Sequence, residues 1–270
     1  MPEIGNSLLL NYSYYSDNFD SAVHARQCLM FESDHLAIAL LDNKNVLAFE
    51  QFLFKNWNDE LFDQSRIAAL KQSLPALVLF RTDAALFLPE EFRKNRFEPI
   101  HILLPLKDGF EMAEHKPAAF PAVVSFAIPK NMLVSLRNHF PGAVLLHHSL
   151  PVFIWMMNHK KLMESSILIE SRNERLYVYA VKDKRPLLFN SFEVNSPEDA
   201  AYYTLMVMEQ LNMDPVKQTV YYKTASGSEN LFSVCRRFIP SLVSAEMLNP
   251  LHKPEQELLF PFLLYASLCE

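Results

Sequence analysis

The chain has 270 residues, of which 50% are apolar, 12% aromatic and 21% charged, and its formal net charge is −6. At roughly 150 residues per domain this allows two domains, or one large one, around a sizeable core; the acidic balance excludes a general nucleic-acid binder. Glycine is the most telling count: Gly5, Gly109, Gly142 and Gly227 are all there are, against roughly nineteen at the usual frequency of about 7%. No two are close enough to build a dinucleotide fingerprint, a P-loop or a nucleophile elbow, each of which needs paired glycines for positive φ or close backbone approach.

In chain order, Met1–Asn18 has no basic start followed by an apolar run, so it does not read as a secretory signal. The aromatic arm Tyr12, Tyr14, Tyr15 is expected to dock on its own domain. Strands are predicted at Gln27–Phe31, Leu36–Leu41 and Val46–Phe54, with a polar turn at Asp42–Asn45, followed by a helix at Asp59–Ser73. Leu77–Thr82 is the next strand, continued by Ala85–Leu88. Pro89, Pro99, Pro105, Pro117 and Pro121 then mark an irregular stretch. A strand at Ala122–Ile128, a helix at Lys130–Phe140, a strand at Ala143–His147 and a helix from Pro151 complete the first half.

The second half opens with a strand at Ile167–Glu170 and two more within Leu176–Val194, around Lys182–Arg185. A helix begins after Ser196 as N-cap, with Pro197 at its first position and Asp199 three after the cap; Ala201, Leu205 and Met208 recur on it at helical spacing. Gln218–Thr224 is a strand. A helix from Ser228 carries Leu231, Val234, Cys235 and Phe238 on one stripe and is stopped by Pro240. Leu242–Ala245 is a further strand, and the chain from Lys253 is expected to be helical despite Pro261. The runs Val152–Met157 and Leu258–Leu268 are too short to span a bilayer. Cys28, Cys235 and Cys269 are odd in number, widely spaced and without CxxC, as reduced thiols of a cytoplasmic protein would be. Cys235 stands beside Arg236 and Arg237, but its place on the apolar stripe predicts a buried, inert thiol.

The two halves echo one another. Sliding the chain by 140 residues lays Leu36–Phe54 on Leu176–Val194, and Leu36, Lys44, Leu47, Phe49 and Phe52 meet Leu176, Lys184, Leu187, Phe189 and Phe192. A slide of 98 lays Leu133–Phe140 on Leu231–Phe238. The difference, 140 − 98 = 42, implies extra chain of that size in the first half, at about 83–122. Each half reads βββαβαβα, a mixed sheet covered on both faces. The expected domains are 1–164, carrying the arm and the insertion, and 165–270, with a cleft between them.

This strand order, the duplication, and the strand–strand–Pro89-Glu90-Glu91-Phe92 pattern resemble an actin-like ATPase fold, in which two ribonuclease-H-like halves flank a nucleotide cleft. The chain resembles a bacterial family of unknown function with that fold, and is similar to the cytosolic actin-like proteins of type IV pilus assembly, whose first half also carries an inserted subdomain. The resemblance implies an Asp-x-Gly-Thr-like turn in each first hairpin, where backbone N–H groups and the Asp handle phosphate and magnesium. Here the corresponding turns read Phe31-Glu32-Ser33-Asp34 and Glu170-Ser171-Arg172-Asn173-Glu174. Neither has a glycine, and both set carboxylates where phosphate oxygens would lie. The counterpart of the adenosine-side glycine pair is Lys223-Thr224-Ala225-Ser226-Gly227-Ser228, with one glycine.

Glu32, Ser33, Glu170, Ser171, Lys223, Thr224 and Gly227 are therefore the degenerate nucleotide-side positions, and no bound cofactor is expected. Arg81-Thr82 and Lys223-Thr224 end corresponding strands, where open α/β sheets bind ligands; a basic pair facing an anion is weighed against solvated strand ends, and the latter is favoured. Adjacent His147-His148 would point to opposite faces of a strand and make a poor chelating pair. His101, His115 and His159 are scattered, and Asp17, Asp20, Glu32 and Asp34 lack the spacing of a calcium loop, so no metal is expected. Arg93-Lys94-Asn95-Arg96 reads as a solvated helix face; for the apolar run Ile100–Leu106 a binding edge is weighed against packing on its own domain, and the latter is favoured. The leading expectation is a non-catalytic actin-like adaptor or scaffold holding another protein through its cleft or insertion. The alternative is a divergent ATPase or kinase with Glu32, Asp34 or Glu170 on magnesium. A two-metal nuclease is disfavoured because the strand ends lack converging acids.

Overall fold

Apolar runs such as Cys28–Phe31 and Ala76–Phe80 are stable only where both faces of a strand are covered, and the computed structural model buries every residue of both. It describes residues 9–17, 19, 25–42, 45–54, 62, 65, 67, 76–89, 104, 106–172, 174–223, 229–245, 265–266 and 268–269. In chain order the elements are β1 (Leu9–Tyr15), β2 (Arg26–Phe31), β3 (His35–Asp42), β4 (Asn45–Leu53), β5 (Ala76–Phe80), β6 (Ala85–Pro89), β7 (Phe110–His115), β8 (Ala122–Pro129), α1 (Lys130–His139), β9 (Val144–His147), α2 (Ser149–Asn158), β10 (Ser165–Arg172), β11 (Arg175–Lys182), β12 (Arg185–Glu193), α3 (Pro197–Gln210), β13 (Val220–Lys223), α4 (Glu229–Phe238) and β14 (Leu242–Ser244). The chain divides into two compact units, Met1–Pro151 with Phe262–Glu270, and Val152–Pro261.

The first unit is built on a six-stranded sheet of order β1-β4-β3-β2-β5-β9. β2, β5 and β9 run parallel, and β3, β4 and β1 fold back antiparallel. The tyrosine arm is β1, docked on the outer edge of β4 as expected, with Tyr12 6.0 Å from Phe49. Phe31, Phe62 and Phe140 form an edge-to-face chain that ties β2 to the C-terminal end of α1. A second sheet, of order β6-β8-β7, is antiparallel throughout. Ala85–Leu88 thus belongs to this sheet and does not continue β5, because Arg81–Ala84 turns the chain away. Nor is the proline-marked stretch irregular throughout: Phe110–His115 within it forms β7, while Ala122–Ile128 lies within β8 as expected and Pro117 and Pro121 fall in the turn between the two.

The second unit repeats the first sheet without its β1: β12-β11-β10-β13-β14, with β10, β13 and β14 parallel. Its core joins Ile167, Ile169, Val178, Ala180, Val207, Met208 and Tyr222. Ser196 caps α3 as expected: its Oγ accepts from Asp199 N–H at 3.2 Å while the Asp199 carboxylate accepts from Ser196 N–H at 2.9 Å.

The offset of 140 holds through the β3–β4 and β11–β12 hairpins. β3 and β11, and β4 and β12, have the same lengths at that spacing. Both hairpins carry a bulge at the same place, between Leu40 and Leu41 and between Ala180 and Val181. Phe54 N–H donates to Asp34 carbonyl and Val194 N–H to Glu174 carbonyl, each at 2.9 Å. The second echo shifts by one residue. Phe140 N–H donates to Leu136 carbonyl and Ile239 N–H to Cys235 carbonyl, a spacing of 99 and not 98. Accordingly Phe238, expected on the apolar stripe of α4, is 48% exposed, and Ile239, at 0%, takes the buried place of Phe140.

α2 begins at Ser149, two residues before the expected Pro151. The helix expected over Asp59–Ser73 and the one from Lys253 lie outside the described residues, apart from Phe62, Ser65, Ile67, Tyr265, Ala266, Leu268 and Cys269. Arg93–Arg96 and most of Ile100–Leu106 also fall outside; Leu104 of that run is buried. Cys235 is buried and its thiol is pushed up to about 11, chiefly by burial and then by Glu198. Among the described residues no helix is long and apolar enough to cross a membrane.

Candidate functional site

The C-terminal ends of the parallel strands are where a sheet of this kind presents ligand-binding groups. In the first unit, β2 ends on Phe31, hydrogen-bonded through its carbonyl to Arg81 N–H at 2.8 Å, so Glu32 and Arg81 leave adjacent strands side by side. Their side chains are 3% and 4% exposed, and Arg81 Nε lies 3.1 Å from Glu32 Oε1. Ser33 is exposed, its hydroxyl donating to Asp34 Oδ1 at 3.2 Å, and Asp34 also meets His35 Nδ1 at 2.6 Å. The turn closes through Glu32 N–H to His35 carbonyl.

In the second unit, Glu170 and Ser171 belong to β10, which runs to Arg172, and not to the turn in which the sequence places them; Glu174 immediately precedes β11. Without glycine, Glu174 itself takes positive φ, at 57°. Glu170 lies opposite Lys223 in the parallel register, and Lys223 Nζ is 3.5 Å from Glu170 Oε1, with side chains 11% and 4% exposed. Thr224 and Gly227 lie outside the described residues.

Each half thus places a buried carboxylate against a buried cation at the ends of its first two parallel strands. The two pairs are alike in kind, not residue for residue: Ala37 faces Met30 and Tyr177 faces Glu170, so the 140-residue offset sets Glu170 on Met30, two residues before Glu32. A shift of two keeps the side chain on the same face of the sheet. Arg81 and Lys223 are therefore not the solvated strand ends favoured from the sequence, because burial forces each to keep a counter-charge.

Beside Arg81 the third parallel strand, β9, ends on His147, and His148 follows it in the turn before α2. Both are buried, with rings 4.3 Å apart, where the sequence reading had them as ordinary polar strand-end residues. His147 Nε2 lies 3.0 Å from the Thr82 carbonyl, which can only accept, so Nε2 carries the proton and Nδ1 accepts from the Ser149 hydroxyl at 2.8 Å. Burial pushes His147 down to about 4; the Thr82 carbonyl opposes this and Arg81 adds to it. His148 is fixed through its N–H and Nδ1 to the Phe80 carbonyl, at 3.0 and 3.3 Å.

Glu50 was also missed. On β4 it is 2% exposed and accepts from the Tyr15 hydroxyl, the Ser65 hydroxyl and Ile67 N–H. One charge inside the apolar run Val46–Phe54 was the signal. Among the described residues no group of three or more His, Cys, Asp or Glu side chains is arranged to hold a metal.

Two mixed sheets of one topology, repeated in one chain and carrying strand-end polar pairs, define a duplicated ribonuclease-H-like protein of the actin-like ATPase fold. A Bacteroides thetaiotaomicron protein with actin-like ATPase fold and unknown function has the same architecture: TM-score 0.77 at 16% identity, over 94% of this chain and 99% of that one. The chain belongs to the family described as protein of unknown function (DUF3822), which matches residues 76–242, more than half its length. Also similar are a PilM–PilN type IV pilus biogenesis complex (TM-score 0.48, 12% identity, 92% of this chain and 97% of that one) and the cytoplasmic domain of EpsL, an inner membrane component of the type II secretion system of Vibrio cholerae (TM-score 0.43, 9%, 74% and 80%). No curated protein matches the chain.

Proposed function

We propose that this protein is a non-catalytic actin-like-fold adaptor of the cytoplasm that holds a protein partner and has lost nucleotide chemistry. The observation that carries the reading is internal neutralisation. Arg81 and Lys223, the cations at the strand ends of the two halves, are each matched by a buried carboxylate of the same half, Glu32 and Glu170. An incoming phosphate has to displace that carboxylate and leave it buried beside a second anion, which costs several kcal/mol. The glycine-free turns at Glu32-Ser33 and Glu174 support the same reading, since a phosphate cradle needs backbone N–H groups that converge.

The degenerate nucleotide-side positions are Glu32, Ser33, Glu170, Ser171, Lys223, Thr224 and Gly227, in a first half of 1–164 and a second of 165–270. The partner-binding element is the extra chain of the first half at about 83–122, which the second half does not need to complete its sheet. Isothermal titration with ATP and magnesium tests the loss of chemistry: no heat at millimolar nucleotide is expected. Micromolar binding with hydrolysis, abolished by Glu170→Ala, would instead establish the divergent ATPase or kinase. Pull-down from the native cell with and without residues 93–121 tests the partner. A partner retained equally by both overturns the role of the insertion.

A further inference from the structure

The rim of the second unit at which β10 begins and β11 passes to β12 is strongly basic. Two turns meet there. The turn from His159 to Glu164 leads into β10, and the Asp183–Lys184 turn docks on it, with Asp183 N–H donating to the Glu164 carbonyl and Lys184 N–H to the Met163 carbonyl, each at 2.8 Å. Lys160 and Lys161 lie on the first turn, Lys184 on the second, and Lys182 and Arg185 are paired across the base of the second. All five are exposed, and among the described residues none of these side chains is held in an ion pair or hydrogen bond. Five cations stand against two carboxylates, Glu164 and Asp183, in a chain whose net charge is −6. The arrangement is costly to the fold: like charges directly opposite in a hairpin repel, and Lys184 holds φ at 57°, where glycine or asparagine is less strained. The duplication supplies a control. At the 140-residue offset the first half pairs Asp42 with Asn45 in place of Lys182 with Arg185, and the stretch before β2 carries Asp17 and Asp20 where that before β10 carries Lys160 and Lys161. The basic rim therefore belongs to this half alone and is not a property of the topology.

We propose that this rim is a docking surface for an anionic membrane, on which the second unit rests through Lys160, Lys161, Lys182, Lys184 and Arg185. The chemistry of the patch selects among anions. Four of the five cations are lysines. A compact, hydrated charge on a flexible stem suits a diffuse field of lipid phosphates, whereas a discrete phosphate or carboxylate is better gripped by the planar fork of arginine. Neither 159–164 nor 182–187 contains Phe, Tyr or Trp, so these turns offer no ring on which nucleic-acid bases could stack. Leu187, two residues beyond Arg185, is 41% exposed, and an apolar side chain beside cations adds to binding at the headgroup boundary. At an anionic surface each net cation is worth roughly fivefold in affinity, so five less two gives about a hundredfold preference for anionic over neutral lipid.

Co-sedimentation of the full chain with vesicles tests this, comparing phosphatidylcholine alone with a phosphatidylcholine–phosphatidylglycerol mixture at low and high salt. Circular dichroism and melting temperature establish that each variant is folded. Binding to the anionic vesicles is expected, about a hundredfold above neutral ones and lost at high salt. Lys160→Ser with Lys161→Ser, and separately Lys182→Ser with Lys184→Asn, are each expected to weaken it by about 25-fold. Lys107→Ser with Lys130→Ser removes two exposed cations from the first unit and is expected to leave it unchanged. No binding to the anionic vesicles overturns the proposal, and so does binding that the first-unit variant weakens as much as the rim variants do. Capture of a labelled oligonucleotide or of polyglutamate through the same lysines, without vesicle binding, overturns it in favour of another occupant. Lys160 and Lys161 lie outside any strand, so that pair decides the matter even if the changes at the hairpin turn disturb folding.

Discussion

His147 sits at the end of β9 with no exposed surface, and burial holds its imidazole neutral down to about pH 4, against an ordinary value of 6.5. The unfolded chain therefore takes up a proton before the folded one as pH falls, and stability follows. The contribution is fully present above 6.5, is lost progressively between 6.5 and about 4, and is flat below. At about 1.4 kcal/mol per pH unit the loss is on the order of 3 kcal/mol. Urea denaturation between pH 7 and 4 is expected to show this slope, and His147→Asn to be the flatter of the two. Equal slopes in both proteins would assign the acid sensitivity to other groups. At Arg81 the expectation concerns a stranded charge. Arg81→Met leaves the Glu32 carboxylate buried and is expected to cost about 3–5 kcal/mol, and adding Glu32→Gln to recover most of it. Lys223→Met should cost less, because Lys223 is 11% exposed where Arg81 is 4%. Little of this was legible in the sequence. The residue types at strand ends were visible, but whether Arg81 meets water or Glu32 is decided by the parallel pairing of β2 with β5, across 49 residues of chain.

Hairpins and caps were the legible elements, because their determinants lie within a few residues. The 140-residue echo placed β3, β4, β11 and β12 to within a residue or two, since a polar turn between alternating apolar runs fixes both ends of a hairpin. The β11–β12 turn, Asp183-Lys184, takes positive φ at both residues, 51° and 57°. That is the conformation of the two-residue turn that glycine or asparagine usually supplies. Lys184→Gly is therefore expected to raise stability by about 0.5–1 kcal/mol, the relief of the Cβ outweighing the added chain entropy. Ser196→Ala should lower it by about 1 kcal/mol through loss of the α3 cap. Thermal melts of the two variants should move in opposite directions. The one-residue slip in the second echo has a plain cause. Matching Phe140 to Phe238 satisfied identity of residue type, whereas the structure matches Phe140 to Ile239 because both close the last turn of a helix.

At the scale of the molecule, duplication accounts for what the halves share, and long-range pairing for what the sequence did not reveal. The β6-β8-β7 sheet pairs Ala85–Pro89 with Ala122–Pro129, segments more than thirty residues apart, with no hairpin signal between them. Nor is it an appendage. Phe126 on β8 is fully buried, 6.0 Å from Phe80 on β5 and 5.6 Å from His147 on β9, and Ala127 N–H donates to the Ala84 carbonyl at 2.9 Å. The small sheet thus supplies part of the burial that keeps His147 neutral. Phe126→Ala should open a cavity at this junction and cost about 3–5 kcal/mol. It should also admit water beside His147 and raise its pKa from about 4 toward 6.5. Histidine titration followed by NMR separates this from a sheet that folds on its own. An independent sheet would lose its own packing in the variant and leave the titration of His147 where it is in the parent protein.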